Sequence, residues 1–240
     1  YRTQNIAFFF LFLATLLIVV PVGLIVVIII QKGLPAINWQ FLSDIPRQGM
    51  RAGGIFPAIV GTIYLVTGAI IFALPIGLLA AIYLSEYSKD NLLTRLIKLA
   101  IVNLAGVPSV VYGLFGLAIF VVFFKFGASI LSGSLTLGIM ILPVIITTSR
   151  EALESVPYSF REVSLSLGAS KWQTIRHIVL PNAMPGILTG TILGLGRAAG
   201  ETAPILFTVA AFYLPRLPNS IFDQAMALPY HLYVISTQVP

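Results

Sequence analysis

From Ala7 to Gln31 the chain runs for 25 residues without one charged side chain, and no other feature constrains the fold as strongly. A helix of about 20 residues spans the ~30 Å hydrocarbon core of a bilayer. Inside lipid a backbone must satisfy its own hydrogen bonds, and a helix does so within one segment. The run is longer than the apolar core of a secretory signal and has no small-residue cleavage site, so it reads as a retained first helix. Hydrophobic residues make up 58% of the chain and charged residues 9%, far from a soluble domain. The predicted fold class is all-α, a polytopic membrane protein with one transmembrane domain.

Four further apolar runs predict spans over residues 55–84, 99–124, 134–149 and 185–214, carrying Pro75, Pro108, Pro143 and Pro185 respectively. The third also has a small-residue face of Gly106, Ser109, Gly113 and Gly116, suited to close helix approach. After Leu214 the chain turns polar through Arg216, Asp223 and His231, which read as surface residues. Five spans leave the two termini on opposite sides. Because the sequence also starts at Tyr1 rather than methionine, a sixth helix is expected to lie outside it. With the N-terminus cytoplasmic, Arg2, Lys89, Arg95, Lys98, Arg150, Arg161, Lys171 and Arg176 fall inside. Lys32, Arg47, Arg51, Lys125 and Arg216 then fall outside, and eight against five is a positive-inside bias. The net charge of +6 sits between apolar runs, which reads as topology and lipid contact rather than nucleic-acid binding. Cysteine is absent, so disulfide and thiol chemistry are excluded.

Residues 150–181 form the one long polar segment. Pro157 suits a helix start, and Tyr158 to Leu167 runs unbroken to Gly168. After Ala169, Ser170 and Gln173 have capping-box spacing, which predicts a second short helix from Lys171 to Leu180 that Pro181 stops. Trp172, Ile175 and Val179 give it one apolar stripe, leaving Gln173, Arg176 and His177 toward water. Such a helix-turn-helix either docks on another protein or lies on the headgroups.

Within the fifth span Gly186, Gly190, Gly194, Arg197 and Glu201 fall within about 80° of one another at 100° per residue. Leu188, Ile192, Leu195 and Ala199 lie opposite. Charges inside a span face a bundle interior or an aqueous path, so Arg197 and Glu201 are candidates for contact with a solute, with a structural ion pair as the alternative. Arginine ahead of glutamate at i,i+4 is the weaker helical orientation, so local pairing explains them poorly. A guanidinium grips phosphate or carboxylate through two parallel hydrogen bonds and keeps its charge when desolvated. Glu201 would hold Arg197 in the empty state or bind a partner helix. No phosphate-binding G-x-x-x-x-G-K-[ST] loop, H-E-x-x-H or G-x-S-x-G is present, and the carboxylates do not cluster as a metal site.

Glu162-Val163-Ser164-x-x-x-Gly168, with Ile178-Val179-Leu180-Pro181 beyond it, resembles the EAA loop of type I ABC importer permeases; Val163 and Ser164 replace its two alanines. Arg197-Ala-Ala-Gly-Glu-Thr-Ala-Pro204, Leu104 to Gly116 and Gly53 to Thr62 resemble the PstA family of bacterial phosphate importers. The resemblance covers roughly residues 50–214. It implies a permease subunit that carries inorganic phosphate and couples to a separate ATPase through Glu162, Gly168, Ala169, Ser170, Trp172, Ile178, Leu180 and Pro181. It also implies a PstC-like sister permease, an ATPase dimer holding ATP and magnesium, and an extracytoplasmic binding protein. This chain would bind no cofactor and would sit in the inner membrane. Rival readings are a permease for sulfate or molybdate, an intramembrane enzyme using Ser109 or Tyr112 near Arg197, and a non-transporting scaffold.

Overall fold

The computed structural model describes residues 2–238, with side chains from Gln4. Tyr1, and the side chain of Arg2 that enters the charge count, lie outside the described residues. Helix α1 (Arg2–Gly33) stands clear of the rest, with none of its apolar window buried. It is greasy on every side, as expected of a helix whose solvent is hydrocarbon. A short helix α2 (Trp39–Ser43) follows, capped by Asn38, whose side chain accepts from the Phe41 amide at 2.8 Å. Strands β1 (Pro46–Arg47) and β2 (Ala52–Gly53) then pair antiparallel. Gly53, at φ +92°, closes that hairpin where a Cβ would lie 2.2 Å from the Ile45 carbonyl oxygen.

The body is built on helices α3 (Phe56–Tyr87) and α6 (Ile130–Glu154), which share the main core. Leu65, Leu137, Met140, Ile141 and Ile145 are fully or almost fully buried there. Small residues set the spacing: the missing Cβ of Gly138 would be 2.7 Å from the Phe72 ring, and that of Gly77 2.7 Å from Ile145. Helix α6 exceeds the predicted 134–149 at both ends. Ser129 caps it by accepting from the Ser132 amide, burying the polar first turn, and its last turn carries charges without breaking.

The third predicted span, 99–124, is not one helix. It divides into α4 (Leu92–Ala105) and α5 (Ser109–Phe123), bent by 101°. Pro108 donates no hydrogen bond and its ring pushes Val107 out of helical conformation, so the chain turns there. At Pro181 the opposite holds: the predicted stop does not occur. After α7 (Tyr158–Ser166), one helix α8 runs from Lys171 to Gly200, passing through a π-turn at Ile175–Val179. The Leu180 amide donates to the Ile175 carbonyl, and this wider turn accommodates a residue that has no donor of its own. The independent segment 150–181 is therefore only a hairpin between Glu154 and Lys171.

The fifth predicted span, 185–214, also divides. Helix α8 ends at Gly200 and α9 (Ala203–Thr208) restarts beyond a break, after which residues 209–214 leave helical geometry. There Val209 and Ala211 bond in extended fashion to Ala225, in place of a continuing helix. The polar stretch that follows holds helix α10 (Leu228–Thr237), where the sequence predicts none. Its Leu228 amide donates to Thr62 Oγ1 at 2.9 Å, and His231, predicted at the surface, is buried.

Candidate functional site

Two sites matter, joined by α8. At the hairpin, α7 ends on a Schellman motif: the Gly168 amide donates to Leu165 O and the Ala169 amide to Ser164 O, at 3.0 and 3.2 Å. Gly168 takes φ +85° with open space where a Cβ would point. Ser170 forms both halves of the capping box, accepting from the Gln173 amide and donating its own amide to Gln173 Oε1 at 2.7 Å. Glu162, Gly168, Ser170 and Trp172 are exposed, as are Tyr158, Val163 and Leu167, giving the tip an apolar face. Ala169 is half-buried.

The remaining predicted coupling residues do not join that surface. Ile178 and Leu180 are half-buried in the α8 rod and Pro181 lies on its outside, so they shape the stem rather than the tip. The predicted stripe of Trp172, Ile175 and Val179 is also split. Ile175 and Val179 pack into a second core with Leu153, Val156 and Ala183, whereas Trp172 is 49% exposed.

The hairpin is tied to the helix body by Arg161. Its Nη2 and Nε donate to Glu86 Oε1 at 2.7 and 3.2 Å, Nη2 also to Leu153 O, and Nη1 to Val156 O. The pair is largely desolvated, with side-chain exposures of 12% and 8%. Nearby, Lys171 Nζ sits 4.8 Å above the Tyr87 ring. Nothing in the sequence singles out Glu86 and Arg161 as partners, since they lie 75 residues apart.

At the far end of α8 the glycine face lies on α6. The missing Cβ atoms of Gly186 and Gly190 would meet Ala152 and Thr148, and that of Gly194 would approach Ile145. Arg197, on the same side of the helix by its spacing, occupies the last turn. A cation there is favoured by the helix dipole. Glu201 is not within the helix as predicted: its backbone is extended at φ −78°, ψ 136°, and its Oε1 is 3.7 Å from Arg197 Nε. The break beside them meets the other broken span, because the missing Cβ of Gly113 in α5 would be 3.1 Å from Ala203 O and Pro204 Cα. Tyr112 is engaged across the bend, donating to Leu104 O of α4 at 2.8 Å, and Ser109 opens α5. Arg150 is a further partly buried cation, one residue beyond the predicted end of span four. It lies inside α6, 3.7 Å from Glu154, with a buried Nε that has no hydrogen-bond partner among the described residues.

Residues 73–238 match the model of the binding-protein-dependent transport system inner membrane component. The chain belongs to this family. It is 34% identical to the probable ABC transporter permease protein YqgI of Bacillus subtilis, over 94% of this chain and 80% of that protein. It is 35% identical to the phosphate transport system permease protein PstA of Xylella fastidiosa, over 84% of this chain and 69% of that one. Identity to PstA of Mycobacterium leprae is also 35%, over 96% and 76%. The permease is thus a transport component of an inner membrane rather than an enzyme, and as an ABC importer subunit it works with an ATPase and a substrate-binding protein.

Proposed function

We propose that this permease carries inorganic phosphate inward, with Arg197 and Glu201 on the path and the α7–α8 hairpin seated on a cytoplasmic ATPase. One observation carries the reading: helix α8 is continuous from the capping box at Ser170 to the break at Gly200. A rod of 30 residues spans about 45 Å, so displacement at the hairpin reaches Arg197 without a flexible joint. Irregular backbone at membrane depth survives where protein or a water-filled cavity surrounds it, and broken helices mark transport sites for that reason. Arg197 supplies the planar donors that an oxyanion accepts. The N-terminus is cytoplasmic in this reading, the ATPase dimer binds ATP and magnesium, and a sister permease completes the path. Phosphate rather than sulfate or molybdate is favoured by the relatives named for phosphate transport. The test is ATP-dependent uptake of labelled phosphate, sulfate and molybdate by proteoliposomes holding the whole importer. Phosphate should dominate, and equal uptake of all three would refute the assignment.

A further inference from the structure

Arg161 and Glu86 lie away from Arg197 and behind the exposed tip of the hairpin, yet among the described residues they form the most deeply buried ion pair. Helix α7 is otherwise exposed apart from Ser164, which is half-buried and whose hydroxyl meets Thr174 Oγ1 at 2.8 Å within the same hairpin. Among the described residues, every side-chain hydrogen bond from α7 to the ends of α3 and α6 belongs to Arg161. Its Nη2 takes the Leu153 carbonyl in the last turn of α6 and its Nη1 the Val156 carbonyl just beyond that helix, at an end whose dipole favours a cation. Its remaining donors take the carboxylate at the end of α3. One guanidinium thereby binds three elements, including the two helices that make the main core.

We propose that the Glu86–Arg161 pair is a positioning joint of the transport cycle, passing displacement of α7 to α3 and α6 while α8 moves through its own continuous backbone. This rests on the reading that the hairpin docks an ATPase. A forked, desolvated pair fixes distance and angle together, which a solvated point charge does not. With the joint cut, α7 stays attached through its chain ends and Ser164, and it shifts without carrying α3 and α6. Hydrolysis then continues while phosphate movement lags.

The experiment measures phosphate moved per ATP hydrolysed in proteoliposomes holding the complete importer. Glu86→Gln keeps the size and removes the charge, Glu86→Asp shortens the arm by one methylene, and Arg161→Lys keeps the charge without the fork. Each should assemble and lower the ratio by about fivefold or more, the scale of a coupling energy between sites. Combining Glu86→Gln with Arg161→Lys should lower it no further than the worse single change. The chain has no native cysteine, so Glu86→Cys with Arg161→Cys, bridged by a bis-methanethiosulfonate that forms a disulfide at each thiol, should regain the ratio and lose it when those disulfides are reduced. A purely structural pair would lower assembly or melting temperature and leave the ratio of assembled complexes intact. A ratio within about twofold of the unaltered importer, in assembled Glu86→Gln or Glu86→Asp, overturns the joint. If Glu86→Gln fails to assemble, a Glu86→Asp ratio within about twofold of the unaltered importer, or a bridged pair that does not regain the ratio, overturns the joint. No ATP-driven phosphate uptake by the unaltered importer would instead overturn the transport reading and the joint with it.

Discussion

Gly190→Ala should loosen the seam between α6 and α8 and move Arg197 with it. The added Cβ would stand 2.0 Å from Thr148 Oγ1 and 2.6 Å from Thr148 Cβ. Rotating the Thr148 side chain relieves only the first clash and breaks its hydrogen bond to Val144 O, now 2.8 Å. The second contact is fixed to the backbone, so the helices must part. Overpacking of this kind costs about 1–3 kcal/mol, and losing the hydroxyl bond adds about 1 kcal/mol. Alanine returns up to ~1 kcal/mol of helix propensity. The net loss, about 1–3 kcal/mol, corresponds to a melting temperature roughly 2–12 °C lower for a chain of this size. Gly196→Ala in the same helix is the matched control, because nothing lies within 4 Å of its missing Cβ. Thermal unfolding of purified permease in one detergent compares them. Gly196→Ala should melt at or above the parent temperature, and adding Thr148→Ala to Gly190→Ala should recover part of the loss. Equal shifts for the two glycines would show that intrinsic propensity, not the seam, governs this helix.

Gly168→Ala should cost about 1–2 kcal/mol locally, because a side chain is strained at φ +85°, and leave ATPase binding measurable. Gly168→Trp carries the same strain but fills open space at the tip, so a pull-down with the ATPase should fail for Trp alone; equal binding by both would remove the docking role. Cysteines at Trp39 and Leu167, 81% and 83% exposed, should react with an impermeant thiol reagent from opposite sides of intact cells, and labelling of both from outside would reverse the topology. Arg197→Lys should impair phosphate uptake by assembled complexes and Arg197→Gln should impair it further. Glu201→Gln should give complexes that hydrolyse ATP but move little phosphate; loss of assembly in all three would mark a structural pair.

The elements legible in the sequence are those fixed by short-range chemistry. Ser170 and Gln173 announce their capping box at three-residue spacing, and Gly168 announces the left-handed turn that closes α7. Prolines are less legible, because one residue type has two outcomes. Pro108 bends its span by 101°, whereas Pro143 stays inside α6 and Pro181 is absorbed by a π-turn. The outcome depends on whether the preceding turn can widen and on what packs around it. Hydropathy likewise reports burial rather than conformation: residues 203–214 are apolar enough to extend a span, yet they fold as a short helix and an extended strip. His231 misleads in the other direction, since a polar residue in a short apolar stretch conceals the buried start of α10. The bond between Glu86 and Arg161 depends on tertiary approach, which one sequence does not encode locally.

Two arginines show how the same side chain is given different work by its surroundings. Arg161 has its donors engaged by two carbonyls and a carboxylate, so an arriving anion would have to break existing bonds, and the residue is suited to holding elements together. Arg197 has a carboxylate oxygen near enough to balance its charge, but at 3.7 Å the contact is too long to be a hydrogen bond. Its side chain is also 34% exposed. The charge is therefore tolerated at the helix end while, among the described residues, no hydrogen bond commits its donors. An importer needs that combination, since a path that bound its solute through a rigid, fully desolvated clamp would not release it. The broken backbone at Glu201 fits the path proposed above: by leaving the helix, Glu201 keeps within electrostatic reach of Arg197 without locking it, and an oxyanion on that path would take the guanidinium for a moment and then lose it again.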